Sequence, residues 1–161
     1  MNRLQNRIYI VVVLDRIRSI YNVGSIFRTS DAFCVQKIYL CEITACPPHP
    51  EIHKTALGAE NTVLWKYSKF TIHALESLRK EGYILCAVEQ TKNSIPMDLW
   101  IPEEEKKYAL VLGNEVKGVQ QQVLDFCDYC IEISQYGTKK SLNVSVAAAL
   151  SIHYLFNKLN K

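Results

Sequence analysis

Three short polar segments hold residue types able to do chemistry, and each abuts an apolar run. They are Asn22-Val23-Gly24-Ser25-Ile26-Phe27-Arg28, Leu112-Gly113-Asn114-Glu115-Val116-Lys117-Gly118 and Ser141-Leu142-Asn143-Val144-Ser145-Val146-Ala147. Between them they offer side-chain amides, hydroxyls, a carboxylate and a guanidinium. Ser141 and Asn143 precede a long apolar helix. At such a start, free backbone N–H groups and short polar side chains gather, and they can hold a ligand or an RNA phosphate. Each residue alone also has a plainer use. Asn22 or Asn143 could be a helix cap, Glu115 a first-turn acid facing the helix dipole, and Arg28 a surface cation.

The elements that must position these segments alternate between strand and helix. The β-branched run Ile8–Leu14 is expected as a buried strand. Asn22–Phe33 has helical spacing, Gln36–Cys41 reads as a short strand, and Cys46-Pro47-Pro48-His49-Pro50 as a loop. Thr55–Ala59 is expected as a short helix and Thr62–Trp65 as a strand. Thr71–Glu81 is expected as a helix closed by Gly82, followed by strand Tyr83–Val88 and irregular chain at Ser94–Pro102. Strand Tyr108–Leu112, helix Val119–Phe126, strand Cys130–Ile133 and helix Leu142–Leu159 complete the reading. This alternation predicts an α/β fold, a parallel sheet flanked by helices on both faces. Ligands of open α/β sheets bind outside the carboxyl ends of strands. Four polar segments follow strands here: Asn22–Arg28, Glu89-Gln90-Thr91, Gly113–Glu115 and Ser134–Asn143. They are expected to converge on one site.

The 161 residues, 48% of them apolar, suit one compact domain over 1–161, with no accessory RNA-binding domain expected. No apolar run is long enough to span a bilayer. The basic start Met1–Arg7 leads into a short β-branched run and reads as no signal peptide, so a cytoplasmic protein without a membrane partner is expected. The net charge of +3 permits a nucleic-acid partner without arguing for one. Local clusters say more: Arg16, Arg18 and Arg28 crowd the first segment, and Lys139 and Lys140 precede the third. A phosphate backbone would be met by such clusters, and a solvated basic rim would look the same. The six cysteines read as reduced thiols. Cys127 and Cys130 have metal-ligand spacing, as do Cys46, His49 and His53, yet a structural zinc site usually needs two Cys-x-x-Cys pairs and only one exists. No metal is expected. The dinucleotide Gly-x-Gly-x-x-Gly, the phosphate-binding Gly-Lys-Ser/Thr loop and the Gly-x-Ser-x-Gly elbow are all missing from the sequence.

Together, the three segments resemble the SpoU (TrmH-type) branch of the SPOUT RNA methyltransferases. The first is similar to its Asn-x-Gly-x-x-x-Arg segment and continues into Thr29-Ser30-Asp31-Ala32-Phe33. The second is similar to Gly-x-Glu-x-x-Gly, and the third to Ser-Leu-Asn-Val-Ser-Val-Ala-Ala, with a lesser match at Thr55-Ala56-Leu57-Gly58-Ala59-Glu60. The likeness covers almost the whole chain in order. Ser134 stands where the family often has proline, and Cys34 where it often has glycine.

The resemblance implies a deep trefoil knot near the C-terminus, although knots are otherwise essentially absent from proteins. It further implies S-adenosylmethionine as cofactor, a homodimer, and methyl transfer to a ribose 2′-hydroxyl, with tRNA favoured over rRNA because of Val88-Glu89-Gln90-Thr91. Carried over by position, Asn22, Arg28, Glu115, Ser141 and Asn143 would be catalytic. Val88, Glu89, Gly113, Asn114, Ile133, Ser141 and Leu142 would hold the cofactor. Arg16, Arg18, Arg28, Lys54, Lys139 and Lys140 are candidate RNA contacts. A guanidinium resists deprotonation, so Arg28 is read first as a clamp on the phosphate beside the reacting ribose, with Asn22 and Glu115 orienting it. A base methyltransferase and a non-catalytic RNA-binding knot scaffold are the alternatives. The last helix, apolar on more than one side, is the sequence trace of a dimer.

Overall fold

The computed structural model describes residues 8–160; the basic start read at Met1–Arg7 lies outside them. Seven parallel strands form one sheet. β1 is Tyr9–Asp15, β2 Lys37–Cys41, β3 Leu64–Ser68, β4 Tyr83–Val88, β5 Ile95–Pro96, β6 Lys107–Gly113 and β7 Tyr129–Glu132. Their order across the sheet is β3-β2-β1-β6-β4-β7-β5, and every pairing is parallel. The helices are α1 (Ile20–Ala32), α2 (Pro50–Ala56), α3 (Thr71–Lys80), α4 (Gln121–Phe126) and α5 (Val144–Leu159).

Burial on both faces explains the continuous β-branched run of β1. Ile10, Val12 and Leu14 point to one side, where Val23, Ile26 and Phe27 of α1, Ile52 of α2 and Ala148, Ile152 and Leu155 of α5 meet them. Val11 and Val13 point to the other side, against Leu75 and Leu78 of α3 and Val123 of α4. Neighbouring strands keep this alternation, with Leu110 and Leu112 on the first face and Ala109 and Val111 on the second. Gly24 lets α2 lie directly on α1. A Cβ there would fall 2.0 Å from Thr55 Oγ1 and 2.4 Å from the Ile52 carbonyl oxygen.

Several elements differ from their sequence reading. α2 begins at Pro50, where a loop was expected. Proline at the first helical position loses no bond, and His49 Nδ1 accepts the Glu51 N–H at 3.2 Å as cap. The helix stops at Leu57, in the left-handed region at φ 52°, so Thr55–Ala59 is not a helix of its own. β3 starts at Leu64 instead of Thr62 because Thr62 and Val63 donate their N–H groups to Ala59 in a 3-10 turn. The irregular stretch Ser94–Pro102 holds the short β5 and a single 3-10 turn, Met97–Leu99. Cys34 is exposed and sits at φ 53°, just past the end of α1. That backbone explains why a glycine would also suit the position. α5 carries two apolar faces: Ala148, Ile152 and Leu155 are buried, while Val146 and Leu150 are exposed. No described helix is long and apolar enough to cross a membrane.

Candidate active-site cleft

The three polar segments meet beyond the carboxyl ends of β1, β6 and β7. Glu115, in the turn after β6, accepts the Arg18 N–H at 2.8 Å and the Ser19 N–H at 2.9 Å. Asn22 Nδ2 donates to the same carboxylate at 3.1 Å. Asn143 Nδ2 in turn donates to Asn22 Oδ1 at 3.3 Å. Asn22 lies in the first turn of α1, whose cap is Ser19, and Asn143 is the cap of α5, accepting the Ser145 N–H at 2.9 Å. Both caps thus serve the helix starts and also join the chain of amides and carboxylate. Burial works to raise the Glu115 pKa, but the N–H donors of Arg18, Ser19 and Asn22 outweigh it and hold the group below the ordinary carboxyl range. It stays a carboxylate and an acceptor.

Asn114 closes the same turn. Its Oδ1 accepts the N–H groups of Val116 and Lys117, at 3.0 and 2.9 Å, and its Nδ2 donates to the Arg16 carbonyl oxygen at 2.7 Å. The 114 and 118 backbones bond to one another in both directions. Gly113 and Gly118 make this tight return possible. A Cβ on Gly113 would stand 2.2 Å from the Val119 nitrogen. Gly118 has φ 70°, and a Cβ there would meet Glu89 Oε2 at 2.4 Å. The close approach at Gly113 is therefore to its own turn. Glu89 completes the wall: its carboxylate accepts the Val119 N–H at 3.1 Å and the Gln90 N–H at 3.0 Å.

A cleft of about 200 Å³ opens beside this turn. Val88, Glu89, Gly113, Asn114, Ile133, Ser141 and Leu142, the seven residues expected to hold a cofactor, all line it, and so does Glu115. Leu112, Val144 and Ala147 add apolar wall that the sequence reading did not assign, and Lys140 stands at its edge. Ser141 lines the cleft but bonds to none of the described residues. Glu115 is the shared member, facing the cleft while bonded to Asn22 of the polar chain.

Arg28 stands apart. It follows Asn22 by six residues on α1, which turns it about 120° around the helix axis. It is exposed and makes no hydrogen bond or ion pair among the described residues. Asn22 and Glu115 hold one another and not Arg28, contrary to the orienting role expected of them. Arg16 is also not on an open rim: its side chain is only 22% exposed, with Nε 3.7 Å from the fully buried Asp15 carboxylate. Arg18, Lys54, Lys139 and Lys140 are exposed. The cysteines and histidines with metal-like spacing are otherwise engaged. His49 caps α2, His53 Nδ1 lies 2.6 Å from Glu60 Oε1, and Cys130 Sγ donates to the Glu89 carbonyl. No group of three His, Cys, Asp or Glu side chains is arranged to hold a metal among the described residues.

Sequence reasoning missed Asp15. Its carboxylate accepts the Gln120 N–H at 2.9 Å, the Gln120 side-chain amide at 2.8 Å and the Thr71 hydroxyl at 2.7 Å. It thereby anchors the starts of α3 and α4 to the end of β1 and holds the far end of the 114–118 turn. The available signal was an acid directly ending a fully apolar strand. A buried polar side chain there needs several hydrogen-bonding partners around it.

Comparison with known proteins fits this arrangement. Residues 9–153 match the sequence profile of the SpoU rRNA Methylase family. A protein of Staphylococcus saprophyticus assigned to the TrmH family of tRNA/rRNA methyltransferases is 29% identical over 98% of this chain and 62% of its own length. The chain thus spans about three-fifths of that relative. An AdoMet-bound rRNA methyltransferase from Sinorhizobium meliloti superposes with a TM-score of 0.85 at 25% identity, over 91% of this chain and 55% of that one. The TrmH/SpoU tRNA modifying enzyme of A. aeolicus shares the fold, with a TM-score of 0.84 at 24% identity over 96% of this chain and 77% of its own. With a profile match running from β1 into α5, the chain belongs to the SpoU rRNA methylase family.

Proposed function

We propose that this protein uses S-adenosylmethionine to methylate a ribose 2′-hydroxyl of structured RNA, with tRNA favoured over rRNA. The observation that carries the reading is the Asn143–Asn22–Glu115 chain at the edge of a cleft built by the Gly113–Gly118 turn and the approach to α5. A non-catalytic scaffold has no need to bond three polar residues together beside such a cleft. Base methylation is the alternative chemistry within the same reading.

The cleft suits the cofactor by its chemistry. Val88, Leu112, Ile133, Leu142 and Ala147 offer apolar wall for a flat ring, and the backbone and polar side chains at Glu89, Asn114 and Ser141 offer hydrogen-bonding groups. When bound, the sulfonium supplies an electrophilic methyl group. The protein's task is then alignment of the 2′-oxygen, a contribution of up to about 7–11 kcal/mol in well-oriented systems. Glu115, fixed as a carboxylate, ties the β1–α1 connection to the turn that walls the cleft. Asn22 and Asn143 hold the starts of α1 and α5 in one register with it. Arg28 clamps the phosphate next to the reacting ribose, and Arg18, Lys139 and Lys140 extend the anionic track. The 2′-hydroxyl is the group that separates RNA from DNA at such a site.

The exposed Val146 and Leu150 on α5, with the half-exposed Leu142 before it, support a homodimer through this helix. Family membership also implies the deep trefoil knot in the chain leading to α5. The tRNA preference leans on Val88-Glu89-Gln90-Thr91 at the end of β4.

The deciding experiment is transfer of a labelled methyl group to total RNA from cells lacking this gene, followed by nucleoside analysis and mapping. Label in a 2′-O-methylnucleoside of tRNA is the expected result. Label in a methylated base, or in no RNA at all, refutes the reading.

A further inference from the structure

A second hollow lies far from the cleft, on the other side of the sheet's order. It encloses about 540 Å³ between the β2–α2 connection and β3, and its lining includes Pro47, Pro48, His53, Glu60, Asn61 and Trp65. Resting on the RNA reading above, we propose that this hollow seats an unstacked nucleobase of the substrate RNA against Trp65, a few nucleotides from the reacting ribose.

The chemistry of the walls argues for a flat, polar-edged ring. Trp65 is 36% exposed although it sits on the core-facing side of β3, paired in register with the buried Ile38. Three proline rings, Pro47, Pro48 and Pro50, bound the hollow with it. An indole face with neighbouring apolar rings is a stacking surface for any base. The polar rim matches base edges. The Asn61 amide both donates and accepts. The His53 ring is exposed, and with Nδ1 committed to Glu60 its Nε2 remains available.

Nearby positive charge favours an anionic occupant, as a nucleic acid is, over a neutral or basic one. Lys54 follows His53 on α2, and Lys69 stands just past the end of β3, both exposed; Lys66, paired in register with Tyr39, faces the other side of the sheet. The acid within the hollow is already engaged: Glu60 accepts the Gly58 N–H at 3.0 Å as well as pairing with His53. Burial would raise the Glu60 pKa, but these donors lower it on balance, so it meets them as a carboxylate. Tyr67, two residues on and on the same face of β3, is also exposed and extends the aromatic surface.

The hollow is rigidly tied to the polar chain. α2, which carries His53, is locked to α1 by the Gly24 contact, and Thr55 Oγ1 donates to the Tyr21 carbonyl oxygen at 2.9 Å. Tyr21 immediately precedes Asn22. A base held at Trp65 would therefore sit at a fixed offset from Asn22 and Arg28, which gives the RNA a register. Three strand spacings, β3 to β6, separate the two sites across the sheet, roughly 14 Å.

Trp65 reports on its own occupancy, because the other tryptophan, Trp100, is only 5% exposed. The test titrates the whole protein with unmodified bulk tRNA, with oligoadenylate and with a proline-rich peptide. It follows tryptophan emission, RNA affinity and, separately, S-adenosylmethionine affinity. The expected result is quenching by both RNAs that Trp65→Phe removes. Trp65→Ala should raise the RNA Kd about tenfold, equal to about 1.4 kcal/mol, with cofactor affinity unchanged and Trp65→Phe in between. RNA binding without quenching, with both variants at wild-type affinity, overturns the base seat and leaves the methyltransferase reading standing. Quenching by the peptide alone also overturns it. Loss of RNA and cofactor binding together in the wild-type protein overturns both.

Discussion

The side-chain amide of Asn22 donates to the carboxylate of Glu115 at 3.1 Å across 93 residues of chain, and the same carboxylate takes the N–H groups of Arg18 and Ser19. One acid thus fastens the whole β1–α1 connection to the turn after β6. Glu115→Gln keeps the shape but offers one oxygen where three donors converge. At least one donor then faces an amide NH2, a loss of about 1 kcal/mol at this solvent-reached site. The larger effect is on geometry, where a small misplacement can cost on the order of 100-fold in rate. Methyl transfer by Glu115→Gln should fall by about that factor with a small drop in Tm; a wild-type rate would remove Glu115 from the mechanism. The pH dependence has a definite sign. Because the folded carboxyl titrates below the ordinary value of about 4.3, its stabilisation is complete above that value and is lost as pH falls through the depressed one. The Tm gap between wild type and Glu115→Gln should therefore be widest near neutrality and close at strongly acid pH.

Asn143 has two separable duties. Its Oδ1 caps α5 by accepting the Ser145 N–H, and its Nδ2 donates to Asn22. Asn143→Asp keeps a good cap acceptor and cannot donate. Asn22 cannot turn over to compensate, since its own Nδ2 is committed to Glu115. Asn143→Asp should melt within about 0.5 kcal/mol of wild type and lose most methyl transfer, whereas Asn143→Ala should also lose about 1 kcal/mol of stability. Full activity in the Asp variant would reduce Asn143 to a cap.

Much of this was legible in the sequence because it is local. The unbroken β-branched run of β1 can only be a strand buried on both faces, and Asn143 before an apolar helix is a cap by its chemistry. The convergence of Gly113–Glu115 with Ser141 and Leu142 followed from the rule that α/β ligand sites lie at strand ends. What escaped depends on tertiary partners. Pro50 looked like loop until a capping His49 made it the first residue of a helix. Arg16 looked like a surface cation until Asp15 drew it inward. Asp15, just past the expected strand Ile8–Leu14, gave no sign of its role, because Thr71 and Gln120 reach it from 56 and 105 residues away. β3 reads poorly because an exposed edge strand lacks the apolar alternation that marks a buried one.

Two glycines outside the left-handed region separate space from flexibility. Gly113 has no room for a Cβ, which would meet the Val119 nitrogen at 2.2 Å and Gly118 backbone at 2.4 Å. Gly137 has nothing within 4 Å. Gly113→Ala must push the 114–118 turn outward, at a cost of about 1–3 kcal/mol, and deform the cleft. Calorimetric titration should show cofactor affinity reduced at least tenfold in Gly113→Ala. Gly137→Ala should bind and melt like wild type. Equal behaviour of the two would mean that the turn does not shape the cleft.

Arg28 tests whether binding and chemistry are divided between surfaces. It makes no bond among the described residues, is exposed, and is not part of the cleft lining. Its removal should therefore leave the fold within about 0.5 kcal/mol of wild type, the usual range for a free surface position. Cofactor affinity should be unchanged for the same reason. If the guanidinium clamps the phosphate beside the ribose, Arg28→Ala loses turnover, and Arg28→Lys regains only part of it. A lysine keeps the charge but not the two-pronged fit to phosphate oxygens. A drop in cofactor affinity in Arg28→Ala would contradict this division, because it would tie the guanidinium to a cleft with which it shares no contact.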